Sequence, residues 1–165
     1  MKMLEANIEG LALDMTTNTP VVVLSPKEID KVLPIWIGHA EAWAIAMELS
    51  GVDSNRPMTH DLLKRVIETL GATVEKIEIT ELKEQTFYAL IHVMTENGEH
   101  QIDARPSDSL ALALKTKATI FVNEELFNQR EGESSAETPE MPTDPESLRE
   151  RLRKINPEDF GKYSL

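Results

Sequence analysis

Ile102-Asp103-Ala104-Arg105-Pro106-Ser107-Asp108-Ser109-Leu110-Ala111-Leu112-Ala113 passes from the end of a strand, through a tight Arg-Pro loop, into a helix of small and apolar residues. Ser107 is placed to cap that helix, predicted over Asp108 to Lys115, and Leu110, Ala111 and Leu114 face a core. Upstream, Glu96-Asn97-Gly98-Glu99 carries the Asn-Gly pair of a tight hairpin, so Ile102 lies near the end of an antiparallel partner strand. Thr73 to Leu82 and Thr86 to Met94 read as the strands before it, the second apolar on both faces and so central in a sheet. Downstream, Thr119 to Val122 is one more strand and Glu124 to Asn128 a helical turn. Strands, then a helix, then a strand make the chain α+β.

A shift of 67 residues lays Ile35-Trp36-Ile37-Gly38-His39-Ala40-Glu41-Ala42-Trp43-Ala44-Ile45-Ala46-Met47 over Ile102 to Leu114. Each segment is strand end, loop, an acid in the first helical turn (Glu41, Asp108) and a small-and-apolar helix. The match admits an internal duplication of a strand-loop-helix unit and equally two unrelated junctions, since Ala and Leu form helices anywhere. A duplication would bring Glu41, Asp103 and Asp108 into one cleft. Before the first of these helices, predicted over His39 to Leu49, come three strands. They are Leu4 to Leu13 with a bulge or bend at Gly10, Val21 to Leu24, and Val32 to Ile37, where Pro34 marks an edge or irregular strand. A second helix, Asp61 to Leu70, is capped by Thr59, closed by Gly71 and striped by Leu62, Leu63, Val66, Ile67 and Leu70. The expected fold is one compact domain over residues 1–128, a mixed or antiparallel sheet with about three helices. An acidic, flexible linker (129–143) and a short C-terminal helical tail (144–165) follow.

The chain has 165 residues, 17 Lys plus Arg against 29 Asp plus Glu, a net charge of −12 and no cysteine. That excludes disulfides, thiolate nucleophiles and cysteine-bound zinc, and it is the opposite of the basic balance that phosphate neutralisation favours. No apolar run reaches membrane-spanning length and the N-terminus lacks a secretory signal, so a cytoplasmic protein with no membrane partner is expected.

Two polar constellations could carry chemistry: Arg56-Pro57-Met58-Thr59-His60-Asp61 and Asp103-Ala104-Arg105-Pro106-Ser107-Asp108. Each pairs an Arg-Pro with acids at a helix start, where free N–H groups, the positive end of the dipole and a guanidinium suit a phosphate. Carboxylates in the same loops suit a divalent ion (Mg2+ or Mn2+) with Asp103 and Asp108 as candidate ligands, and His60 suits proton transfer. The candidate catalytic residues are therefore Glu41, His60, Asp61, Asp103 and Asp108, with Arg56 and Arg105 as phosphate holders. The same residues also serve as ordinary caps and loop salt bridges, the reading that goes with a non-catalytic dimeric binding or regulatory module whose Arg-Pro loops recognise an anion or a protein.

Leu33-Pro34-Ile35-Trp36-Ile37-Gly38 with Glu41-Ala42, Arg56-Pro57-Met58-Thr59-His60-Asp61-Leu62, and Asp103 to Ala113, in that order, resemble the bifunctional nuclease family over roughly residues 3–128. The resemblance implies an α+β homodimer that hydrolyses phosphodiester bonds of DNA and RNA, with its functional groups among the motif residues already named.

Overall fold

The computed structural model describes residues 1–129 together with Pro145 and Glu146. All of the expected linker and tail apart from Gln129, Pro145 and Glu146 lies outside the described residues. Along the chain the elements are β1 (Met3–Asp14), β2 (Thr19–Pro26), β3 (Leu33–Trp36), α1 (His39–Leu49), α2 (Thr59–Thr69), β4 (Thr73–Lys83), β5 (Thr86–Thr95), β6 (Gly98–Ala104), α3 (Pro106–Thr116), β7 (Thr119–Asn123) and α4 (Glu125–Gln129).

The seven strands form one sheet in the order β3-β2-β1-β7-β4-β5-β6. It is two antiparallel meanders, β1-β2-β3 and β4-β5-β6, joined by β7, which runs antiparallel to β1 and parallel to β4. The mixed α+β fold expected from the sequence is therefore present. β3, with Pro34, is one edge, where a residue without an N–H costs no ladder bond. In β1 the register slips between Ile8 and Gly10, at the expected bend. β5 is interior, flanked by β4 and the edge strand β6, and β7 is the middle strand of the seven.

Each meander ends in a helix, β3 into α1 and β6 into α3, so the two segments matched at 67 residues leave opposite edges of the sheet. Both helices return over the same face and pack against each other. The core between that face and the helices includes Leu4, Leu24, Ile45, Ile77, Ile79, Leu110 and Leu112, all fully buried. At about 25 cal/mol per Å² of apolar surface, burying each such side chain is worth roughly 1.5–3 kcal/mol.

Helix starts differ from expectation in detail. Thr59 and Ser107 are inside the first turn, and the cap positions belong to Met58 and Arg105. The Asp61 carboxylate takes over the capping of α2 by accepting from the Met58 N–H at 2.9 Å, and Pro106 opens α3 where a missing N–H is harmless. The α2 stripe forms but points outward: Leu62, Val66 and Leu70 are 57%, 46% and 79% exposed, while Ile67 packs on the core and His60 is the buried residue of the helix. On the far face of the sheet His92 is packed between Glu78 (2.8 Å) and Glu99, with Lys76 on Glu78 at 2.6 Å.

Candidate functional site

Helices α1, α2 and α3 each carry an acid as their third residue: Glu41, Asp61 and Asp108. That position favours a carboxylate because the helix dipole is positive there. Their environments then diverge. Arg105, at the cap position of α3, donates from Nε to Asp108 Oδ2 (2.8 Å) and from Nη2 to Glu41 Oε1 (2.7 Å), linking the two acids that match at 67 residues. Glu41 lies folded over Gly38, so close that a Cβ there would be 2.3 Å from Oε2; only glycine leaves the carboxylate that place. The other oxygen of Asp108, Oδ1, is 3.0 Å from His60 Nε2.

Burial works against the charge on Asp108, but hydrogen bonds from Arg105 and His60 outweigh it and hold the carboxyl below its ordinary range. Arg105 in turn is raised, chiefly by its hydrogen bond to Asp108. An ionised carboxylate only accepts, so Nε2 of His60 is the donor, and in the neutral ring the lone pair sits on Nδ1. Among the described residues nothing hydrogen-bonds Nδ1. Of the five guanidinium N–H donors of Arg105, two are used; its side chain is 66% exposed, leaving the others to solvent or to a ligand.

A second bridge lies beside the first. Lys115 of α3 reaches Asp61 Oδ1 at 2.7 Å and Glu48 Oε2 at 2.8 Å. Burial disfavours its charge, yet the bonds to Asp61 and Glu48 raise it overall, while Asp61, likewise opposed by burial, is lowered by Lys115 and the Met58 N–H. Between α1, α2 and the loop joining them runs a groove of about 490 Å³ that reaches His60. Arg56 also lines it, on a loop where Ser54 Oγ donates to the Arg56 carbonyl at 2.6 Å.

The structure thus unites Glu41, His60, Arg105 and Asp108, places Asp61 and Arg56 on the adjoining groove, and leaves Asp103 apart. Asp103 pairs with Leu90 on β5, whose neighbours Ala89 and Ile91 face the helices, so alternation puts Asp103 on the opposite side of the sheet. The expected ligand pair of Asp103 and Asp108 is thus not brought together by these elements. Both oxygens of Asp108 are already bonded, and among the described residues no group of three carboxylates or imidazoles is arranged to hold a metal ion. A divalent ion does not fit these side chains as they stand, and Arg105 supplies the positive charge between Glu41 and Asp108. Lys115 and Glu48 were missed, although they too match at 67 residues, as opposite charges near the ends of the two helices.

The bifunctional nuclease domain family matches residues 22–135. An uncharacterized protein of Mycobacterium tuberculosis is 37% identical over 162 residues, covering 94% of this chain and 97% of its own. Bifunctional nuclease 1 of Oryza sativa subsp. japonica is 24% identical over 113 residues, 67% of this chain but 34% of the rice protein. Bifunctional nuclease 1 of Arabidopsis thaliana is 22% identical over 111 residues, 65% of this chain and 34% of its own. With its three motifs converging as described, and a family match over most of its length, this chain belongs to the bifunctional nuclease domain family.

Proposed function

We propose that the chain hydrolyses phosphodiester bonds in DNA and RNA, with His60 as the proton-transfer group. One observation carries the reading: Asp108 holds Nε2 of His60 while Nδ1 is left without a partner on a histidine that lines a groove. A base oriented by a carboxylate can take a proton from water as it attacks phosphorus, or, in RNA, from the 2′-hydroxyl. The spare N–H donors of Arg105 meet the charge that builds on the phosphoryl oxygens. Glu41 is a positioning residue that holds Arg105, and Asp61 acts through Lys115. Asp103 has no part in this reading. The domain, linker and tail division at residues 128 and 143, and a cytoplasmic setting, belong to the same proposal.

The test is cleavage of single-stranded DNA and single-stranded RNA by rigorously purified protein. Because the cation between Glu41 and Asp108 is a guanidinium, the rate in excess EDTA is expected to equal that in magnesium or manganese at matched ionic strength. Activity that EDTA abolishes and metal restores would overturn the metal-free form of the proposal, and no activity in any condition would overturn the proposal itself.

A second reading, dimerisation, is favoured by the outward stripe of α2. Leu62, Leu63, Val66 and Leu70 are all exposed along one helix, which is unusual without a partner surface. We expect sedimentation equilibrium to give twice the chain mass of 18.5 kDa, and Leu62→Glu with Val66→Glu to give the single-chain mass. A wild-type monomer would contradict this.

A further inference from the structure

The polar side of α2, away from the apolar stripe, carries Asp61, Lys64, Arg65 and Glu68 at helical spacing and forms one wall of the groove. Lys64 has Glu68 within 3.9 Å, and Lys115 is held by Asp61 and Glu48. Arg56 and Arg65 are different: both are exposed, both line the groove, and among the described residues neither enters an ion pair. In a chain with 29 acids and 17 basic residues, the two guanidiniums on this groove, of which Arg65 also acts electrostatically on Asp61, bring its lining close to charge balance and relieve the overall negative field there. Asp53 is the acid of the lining that no basic group pairs among the described residues. The same groove is lined by Met47, Val52 and Met58, of which Val52 is the exposed one.

We propose that this groove is the path of a single-stranded nucleic acid, with Arg56 and Arg65 each holding a backbone phosphate and an unpaired base resting on Met47, Val52 and Met58. Two guanidinium forks suit phosphate oxygens, and the mixed lining suits a nucleotide whose base is free. A duplex keeps its bases stacked and paired, so it offers no free base to Met47, Val52 and Met58. It also cannot follow a strand down to His60, whose side chain is 10% exposed. The inference rests on the hydrolytic reading of His60 for its direction, since the strand must run past that residue. Its binding site, however, is made of other side chains.

The experiment is fluorescence anisotropy of labelled oligothymidylate, oligouridylate and a duplex of mixed sequence, with the full chain across a salt series, each reading taken before a gel of the same sample shows cut strand, and the gel then followed for cleavage. The proteins are wild type, Arg56→Ala with Arg65→Ala, and His60→Gln, each checked for an unchanged thermal melt. The expected result is that single strands bind more tightly than the duplex. The double arginine variant binds them roughly tenfold or more weakly. Its plot of log affinity against log salt is shallower by about 1.4, the loss of two single-strand phosphate contacts. His60→Gln binds as wild type does. Equal binding by wild type and the arginine variant, an unchanged salt slope, a preference for duplex, or no binding at all would each overturn the strand path. If His60→Gln cleaves normally while the arginine variant loses binding, the hydrolytic reading fails and the strand path stands; if His60→Gln loses cleavage while the arginine variant binds normally, the reverse holds.

Discussion

His60→Gln is expected to lower phosphodiester cleavage by about 10²–10⁴-fold, the contribution of a positioned acid–base group. Glutamine fills much the same space, and its amide can still donate to Asp108 Oδ1, so the helix start and the Arg105 bridge keep their partners. What it lacks is a basic nitrogen in place of Nδ1. The melting temperature should therefore move by a few degrees at most, and substrate affinity should hold because the groove cations are untouched. A parallel drop in rate and stability would instead make His60 a packing residue.

Lys115→Met is the change expected to cost most stability while leaving the hydrolytic groups in place. It removes the cation from two carboxylates, Asp61 and Glu48, that are 30% and 34% exposed, and leaves them facing one another across an apolar side chain. A fully buried pair broken in this way costs more; solvent at both acids reduces the expected loss to about 1–3 kcal/mol, readable in urea unfolding. The pH dependence should change with it. Asp61 and Asp108 have lowered carboxyls, so their contribution is complete above the unfolded carboxylate range near pH 4 and is lost as pH falls through their lower folded values. Lys115 is raised, so its contribution is complete below the unfolded lysine value near 10.4 and is lost as pH rises through its higher folded one. In Lys115→Met the stability plateau between these limits should be lower and its alkaline edge weaker. An unchanged curve would mean that the Lys115 bridge contributes nothing.

Much of this was legible in the chain because it is written in local rules. The two meanders announce themselves by strand runs broken at tight turns, α1 by the small-residue segment starting at His39, and the edge position of β3 by Pro34. The 67-residue match pointed to Glu41 and Asp108 as neighbours, since equivalent helix starts that pack together bring equivalent acids together, but it also put Asp103 with them and did not show Arg105 as the link. Three features were not legible. Whether β7 closes on β1, on β4 or on both is a matter of long-range pairing, and the five residues Thr119 to Asn123 carry no signal for it. The direction that the α2 stripe faces depends on what the rest of the surface leaves uncovered, which helical periodicity does not encode. Asp103 is next to Ala104 and Arg105 in sequence, yet one step along a strand turns a side chain to the opposite face, and this removes it from the site.

The central claim is that Asp108 and His60 act as one unit, and a double-mutant cycle on single-turnover cleavage tests it most directly. The account predicts that Asp108→Asn and His60→Gln each lower the rate constant, and that the double variant is no slower than His60→Gln alone, because the amide oxygen left by Asp108→Asn still accepts from Arg105 and what is lost is the hold on the ring. Losses that multiply, or either single variant cleaving at the wild-type rate, would contradict it.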